Sequence, residues 1–228
     1  MSALRACISV LLSLTESERA GMQECVPLMF EVLGSAYQQA DDETIVAAVT
    51  VLSDLATVSP KFLKNHLKPV LAAMIHMVAC QTLEAETRRV AMSFLLTLAE
   101  EGRGMVRKAS EFAAQVVPLA FGLVQELQHT PEWDNPDEEH EGDDNDGQDN
   151  FKFGCECIAR LSAALGGKIF LQVISPLIQR AFQDKEHWNV RHAALITIAQ
   201  MAQGVDKHME PQLKSIMTSV DRPSAIVL

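Results

Sequence analysis

Residues 59–102 read SPKFLKNHLKPVLAAMIHMVACQTLEAETRRVAMSFLLTLAEEG. Ser59 before Pro60 has the form of an N-cap followed by proline at the first helical position, where its missing N–H is not needed. Leu63, Leu67, Val70, Leu71, Met74 and Val78 then recur at close to 3.6-residue spacing, the stripe of an amphipathic helix. A second helix over 84–101 brings Ala91, Phe94, Leu95 and Leu98 to one face, and Gly102 is its stop. Two apolar stripes on a short connection must bury against each other, so this stretch predicts an antiparallel helix pair.

The pair recurs along the chain. Upstream, helical patterns cover 4–14, 22–39 and 43–58, with Asp41 and Asp42 as caps of the third. Downstream, 105–128 carries Phe112, Val116, Leu119, Leu123 and Leu127 on one stripe. Helix 151–165 stops at Gly166-Gly167, and 168–183 groups Phe170, Val173, Ile174, Leu177 and Ala181. Helix 188–203 stops at Gly204, and a last helix starts near Asp206. No stretch has the period of a strand. Alternate helices end at Ser59, Gly102, Gly166 and Gly204, spaced by 43, 64 and 38 residues. About 40 residues per pair is the HEAT or armadillo period. Pro27, Pro69, Pro118, Pro176 and Pro211 fall one per pair, which predicts a bent outer helix repeated five times. Two helices per repeat favour HEAT over three-helix armadillo. The expected fold is therefore all-α, a HEAT-repeat α-solenoid built as a superhelical array of antiparallel helix pairs. Neither end carries a polar cap, so an internal segment of a longer array, or a truncated gene product, is expected.

The one long interval holds an insertion within a repeat, EWDNPDEEHEGDDNDGQD, residues 132–149. Its ten acids are Glu132, Asp134, Asp137, Glu138, Glu139, Glu141, Asp143, Asp144, Asp146 and Asp149, with no Lys or Arg among them. The chain carries a net charge of −11, and subtracting this segment leaves about −1. Repeats are expected over 1–129 and 151–220, a solvated acidic loop over 130–150, and a tail over 221–228. A run of carboxylates attracts a basic partner and raises its encounter rate. Trp133 has two readings: docking onto that partner, or packing back on the rod. Read as an EF-hand with Gly147 at position six, the segment places Gly142 at position one and Phe153 at position twelve, both wrong for calcium. Leu165-Gly166-Gly167-Lys168 lacks the upstream glycine and the Ser or Thr of a P-loop. No metal and no cofactor are expected.

Composition narrows the classes further. At 48% hydrophobic and 5% aromatic, the chain suits helix-on-helix packing, and no apolar run reaches membrane-span length. Residues 1–21 read as an amphipathic helix and not as a signal peptide. The odd count of five cysteines points to free thiols in a reducing compartment. Scattered histidines, no G-x-S-x-G and no zinc spacing argue against an enzyme. Net negative charge disfavours direct binding to nucleic acid.

Several stretches resemble the importin-β (karyopherin-β) family, in its importin-five or karyopherin-β3 branch. They are ARLSAALGGKIFLQVISPLI at 159–178 and WNVRHAALITIAQMAQGVDKHME at 188–210, preceded by SPKFLKNHLKPVL at 59–71 and TRRVAMSFLLTLAE at 87–100. The first looks like a motif of the type DRLAxxLGGK. The likeness runs over about residues 20–217 and includes the position of the acidic loop. It implies a superhelical carrier that moves cargo through nuclear pores between cytoplasm and nucleus. It also implies as partners the GTPase Ran in its GTP form, cargo proteins with basic nuclear-localisation signals, and nucleoporins, with no membrane insertion. On that reading the ten acids and Trp133 face Ran or basic cargo. Trp188 and Asn189, opening an inner helix, are candidates for cargo contact, with capping of the repeat core as the other reading of Trp188. HEAT repeats also carry an Asp near the turn and an Arg early in the second helix as a structural ladder; Asp184 with Arg191 has that spacing, as do Glu84 or Glu86 with Arg88 or Arg89. A static HEAT scaffold for a phosphatase or other complex is the alternative.

Overall fold

A computed structural model describes the backbone of residues 2–127 and 149–220, and their side chains except at 110, 203 and 206–220. All regular structure among the described residues is helical. The helices are α1 Ser2–Ser13, α2 Glu16–Ala20, α3 Cys25–Gln38, α4 Asp42–Val58, α5 Leu67–Ala79, α6 Ala85–Glu101, α7 Arg103–Val106, α8 Ser110–Gln125, α9 Asp149–Leu165, α10 Gly167–Gln183 and α11 Trp188–Val220. A 3₁₀ turn, Pro60–His66, precedes α5. No single helix among the described residues is long and apolar enough to cross a membrane. The chain divides into two compact units, Met1–Val116 and Val117–Leu228.

In the first unit α3 packs on α4 and α5 on α6, while α1, α4 and α6 lie side by side in turn. The contacts come from the predicted stripes. Leu63, Val70, Leu71, Met74 and Val78 are buried, as are Ala91, Phe94, Leu95 and Leu98. In the second unit α10 packs on α11, and α11 on α9, with Phe170, Ile174 and Ala181 in the core.

The helix expected over 60–79 is broken, and Pro69 explains where. Its ring collides with the carbonyl four residues back in an α-helix, so the chain runs as a 3₁₀ turn to His66 and becomes α-helical only at Leu67. Ser59 sits at the cap position, but its side chain makes no capping bond. Pro27 and Pro69 fall in the first turns of α3 and α5, where no helical hydrogen bond is lost. Only Pro118, Pro176 and Pro211 are interior, so the five-fold bent helix does not hold. The helix expected over 105–128 is likewise divided into α7 and α8.

Gly204 does not end a helix: α11 runs through it to Val220. A Cβ there would strike Ser162 and lie 2.9 Å from the Ala163 nitrogen. The glycine permits close approach of α11 to α9. Gly166 does act as a stop, with φ 82 after the end of α9. The short α2 has a sequence signature of its own. Thr15 and Glu18 form a capping box, the Glu18 carboxylate accepting from the Thr15 N–H at 2.9 Å.

Successive repeats are joined by polar contacts at the turns. Asp41 caps α4 through the Thr44 N–H at 3.0 Å. Asp42 reaches the next pair, accepting from the Thr87 hydroxyl and from the Glu84 N–H at 3.3 Å. Tyr37 of α3 approaches the joint differently: its hydroxyl lies 2.8 Å from His76 Nε2 and 3.5 Å from Cys80 Sγ. The Thr82 hydroxyl, 3.1 Å from the same sulfur, is the main cause that brings the Cys80 thiol down to about 7, with Tyr37 next. Burial pushes Cys155 up to about 11 and Cys157 higher still. Because the thiolate is the nucleophile, iodoacetamide at neutral pH is expected to label Cys80 at least about 10-fold faster than Cys155 or Cys157. Its rate should rise through pH 7, as read by peptide mass mapping.

Three arginines share one role. Arg19, Arg88 and Arg191 each stand fourth in their helix and are buried. Each donates to a main-chain carbonyl just upstream: Arg19 to Leu14 at 2.6 Å, Arg88 to Val78 at 3.0 Å and Arg191 to Asp184 at 3.0 Å. The guanidinium thus meets the negative end of the preceding helix. Arg191 thus bonds the main chain of Asp184, and in the second pair the buried arginine is Arg88, while Arg89 is half-buried. A buried charge-assisted bond contributes about 1.5–3 kcal/mol. Arg88→Met is therefore expected to lower unfolding stability by about 2 kcal/mol, measured by urea denaturation.

Candidate partner-binding site

The acidic residues Glu132, Asp134, Asp137, Glu138, Glu139, Glu141, Asp143, Asp144 and Asp146, and Trp133, lie outside the described residues. Asp149 is described: it is the exposed first residue of α9. What the structure defines is the base from which the segment leaves and returns, between the end of α8 and the start of α9.

That base is fixed from three sides. Asn150 Nδ2 donates to Glu126 Oε2 at 2.7 Å, joining the two ends of the insertion directly. Asn189, second in α11, donates Nδ2 to the Gln125 carbonyl at 2.9 Å. Gln125 closes α8, so this amide satisfies a carbonyl that the helix itself leaves without an intrahelical donor. Leu127 is buried just beyond. On the other side Phe151 of α9 meets His192 of α11, ring centroids 5.9 Å apart, and Trp188 packs edge-on to His192 at 6.2 Å. Asn189 and Trp188 lie in one turn of α11, so a single element contacts the end of α8 directly and, through His192, the start of α9.

Gly154 sets the spacing of α8 and α9. A Cβ at this position would lie 2.7 Å from the Val124 nitrogen and 2.9 Å from the Leu123 carbonyl carbon. Both are backbone atoms and cannot turn aside.

The turn before α11 is a compact polar knot. Asp184 Oδ1 accepts from the N–H groups of Glu186 and His187 at 2.9 and 2.8 Å, and its carboxylate pairs with His187 Nδ1 at 3.1 Å. The His187 main-chain bond, followed by its side chain, holds the Asp184 carboxyl below the usual range. The carboxylate works locally while the main chain of the same residue receives Arg191.

Burial also pulls the His192 imidazole below its ordinary value. The folded protein then binds this proton less readily than the unfolded chain, so the associated stability is full above about pH 6.5 and is lost as pH falls below it. His192→Gln should flatten the fall in melting temperature between about pH 7.5 and 5.5, measured by circular dichroism.

Among the described residues no cluster of three or more His, Cys, Asp or Glu side chains is placed to hold a metal ion. The described base of the insertion thus combines the Phe151, His192 and Trp188 rings with the Asn150 and Asn189 side-chain amides. Sequence reasoning missed Asn150, Glu126 and Phe151. Their only signal was position at the two ends of the charged run.

Comparisons place this architecture. Residues 1–73 match the family described as IPO5-like, TPR repeats, and residues 80–172 match the family described as Importin repeat. A curated relative, the probable importin-5 homolog of Dictyostelium discoideum, is 20% identical over 200 residues, covering 86% of this chain and 18% of its own length. The crystal structure of Kap121p superposes with TM-score 0.82 at 16% identity over 96% of this chain and 22% of that one. Kap121p bound to RanGTP and Kap121p bound to Pho4p give TM-scores of 0.81 and 0.84, at 16% and 15% identity, over the same shares. The chain therefore has the HEAT-repeat solenoid fold and belongs to the importin-β (karyopherin-β) family, whose importin models together match most of it. Within that family it is an importin-five-like, Kap121-like segment of the karyopherin-β3 branch. It spans about a fifth of the length of these relatives.

Proposed function

We propose that this chain is the part of a nuclear import receptor that recognises basic polypeptides, the signals of cargo and a basic surface of Ran in its GTP form, and that it works between cytoplasm and nucleus. The observation that supports this most is the anchored insertion. Ten carboxylates leave one site on a frame that is otherwise close to neutral, and the base of that site is held by Asn150, Asn189 and the Phe151–His192–Trp188 group. Concentrated charge on a fixed base gives fast, salt-sensitive capture of a basic partner. The mechanism asks for no chemistry: GTP-loaded Ran and cargo bias the same repeats, so one lowers the affinity for the other. Trp188 supplies apolar contact beside the arm, and Asn189 holds the arm's base. Nucleoporins belong to the same reading, since one relative was solved as Kap121p bound to Nup53p.

The test is capture on the immobilised full chain of Ran loaded with GTP or GDP, alongside a lysine-rich peptide. Retention of the peptide, and of the GTP form over the GDP form, is expected. Equal retention of both nucleotide forms, with no peptide bound, would instead favour the static scaffold.

A further inference from the structure

The basic residues of this acidic chain are unevenly placed. Lys61, Lys64 and Lys68 lie on the 3₁₀ turn and the start of α5, and Lys108 follows α7. Together they rim two adjoining clefts of about 640 and 520 Å³, all within the first unit. Lys64, Leu67 and Lys108 line both clefts. The floor is apolar, with Leu67 and Met105 reaching into it.

The outer lysines show what this rim accepts. Lys61 Nζ stands 3.5 Å from Glu16 Oε1, and Lys68 Nζ stands 3.7 Å from Glu111 Oε1. Each is answered by a carboxylate of the chain itself. Lys64 and Lys108, at the centre, have no acidic partner within ion-pair distance among the described residues. Glu101 and Glu111 also line the clefts, so with Glu16 on Lys61 four lysines face three acids and the balance stays positive. A partner bringing its own carboxylates completes the pattern, and one bringing an apolar side chain covers Leu67 and Met105. A sugar–phosphate backbone meets the first need but not the second, and the chain's net −11 repels it at range.

We propose that this double cleft is a docking site for an acidic, apolar-containing peptide segment of a partner protein, with Lys64 and Lys108 pairing its carboxylates over the Leu67–Met105 floor. The site is separate in sequence and opposite in charge preference from the acidic arm, and it stands without the reading given to that arm. Exposed ion pairs contribute little each, so binding is weak and falls with salt.

Fluorescence anisotropy tests it, with a labelled peptide of repeated Glu-Glu-Leu triplets titrated by the full chain at about 50 mM salt. K64E/K108E is expected to weaken binding about 10-fold or more, and K64Q/K108Q by less. K152E, an exposed change on α9, should leave it unaltered. A Gln-Gln-Leu peptide should not bind. Equal affinity for the wild type and K64E/K108E would overturn the site. So would an equal loss from K152E, which would reduce it to overall charge. Displacement of the peptide by a single-stranded oligonucleotide that binds more tightly would make the surface a nucleic-acid site and overturn the peptide assignment.

Discussion

Gly154→Ala is expected to lower the stability of the chain by about 2 kcal/mol, and its melting temperature by about 4–8 °C. The added methyl falls 2.7 Å from the Val124 nitrogen and 2.9 Å from the Leu123 carbonyl carbon. Backbone atoms inside a helix cannot rotate away, so α8 and α9 must separate. Overpacking of this kind costs about 1–3 kcal/mol and occasionally more. Against it stands the better helix propensity of alanine, worth about 1 kcal/mol. Steric separation wins, because two of the contacts are with backbone atoms nearer than 3.0 Å. Gly122→Ala on α8 is the control, because a Cβ there meets nothing within 4 Å. It should raise stability by about 0.5–1 kcal/mol. Thermal unfolding of both variants checks the pair. A rise for Gly154→Ala would mean that α8 and α9 are not in backbone contact. Since both ends of the acidic insertion leave these two helices, the variant should also loosen its base.

Exchange of the ten acids for Ser and Asn is the second large effect. It brings the net charge from −11 to about −1. Affinity for a lysine-rich peptide is expected to fall by about 10-fold or more at about 50 mM salt, and the two proteins should converge as salt approaches about 0.5 M. The loss should lie mainly in the association rate, because long-range charge steers encounter. Unfolding stability should change little. Stopped-flow fluorescence across a salt series separates these quantities. An unchanged association rate at low salt would remove the arm from recognition.

Much of this fold was legible because a helix must repeat its apolar residues every 3.6 positions to bury one face. The stripes on α5, α6 and α8 hold, with Phe112, Val116, Leu123 and Leu127 buried and Leu119 half-buried. The turns that carry Asp41 and Gly166 hold as well. The failures have physical causes. Gly204 and Gly102 look alike in sequence, yet one admits a neighbouring helix and the other ends its own; only tertiary packing tells them apart. The break before Leu67 is written in Pro69, whose collision four residues back outweighs the apolar stripe. The capping box at Thr15 was readable too, but α2 is five residues long and has no stripe.

The site was legible in its charge and not in its geometry. Ten acids in one run are visible in any sequence. That Asn150 clasps Glu126, or that Asn189 binds the Gln125 carbonyl 64 residues away, depends on which helices become neighbours. Arg88 rather than Arg89 became the buried arginine for the same reason. Adjacent positions on a helix point about 100° apart, and the position facing the Val78 carbonyl is decided by how α6 is rotated against α5.

The central claim is that these repeats recognise basic polypeptides and that GTP-loaded Ran opposes them. Calorimetric titration of the intact chain with a lysine-rich peptide, alone and then with saturating GTP-loaded Ran, tests it most directly. The account predicts saturable one-to-one binding that weakens with salt and weakens again when Ran is present. Absence of peptide binding at low salt, or an affinity indifferent to GTP-loaded Ran, would contradict it.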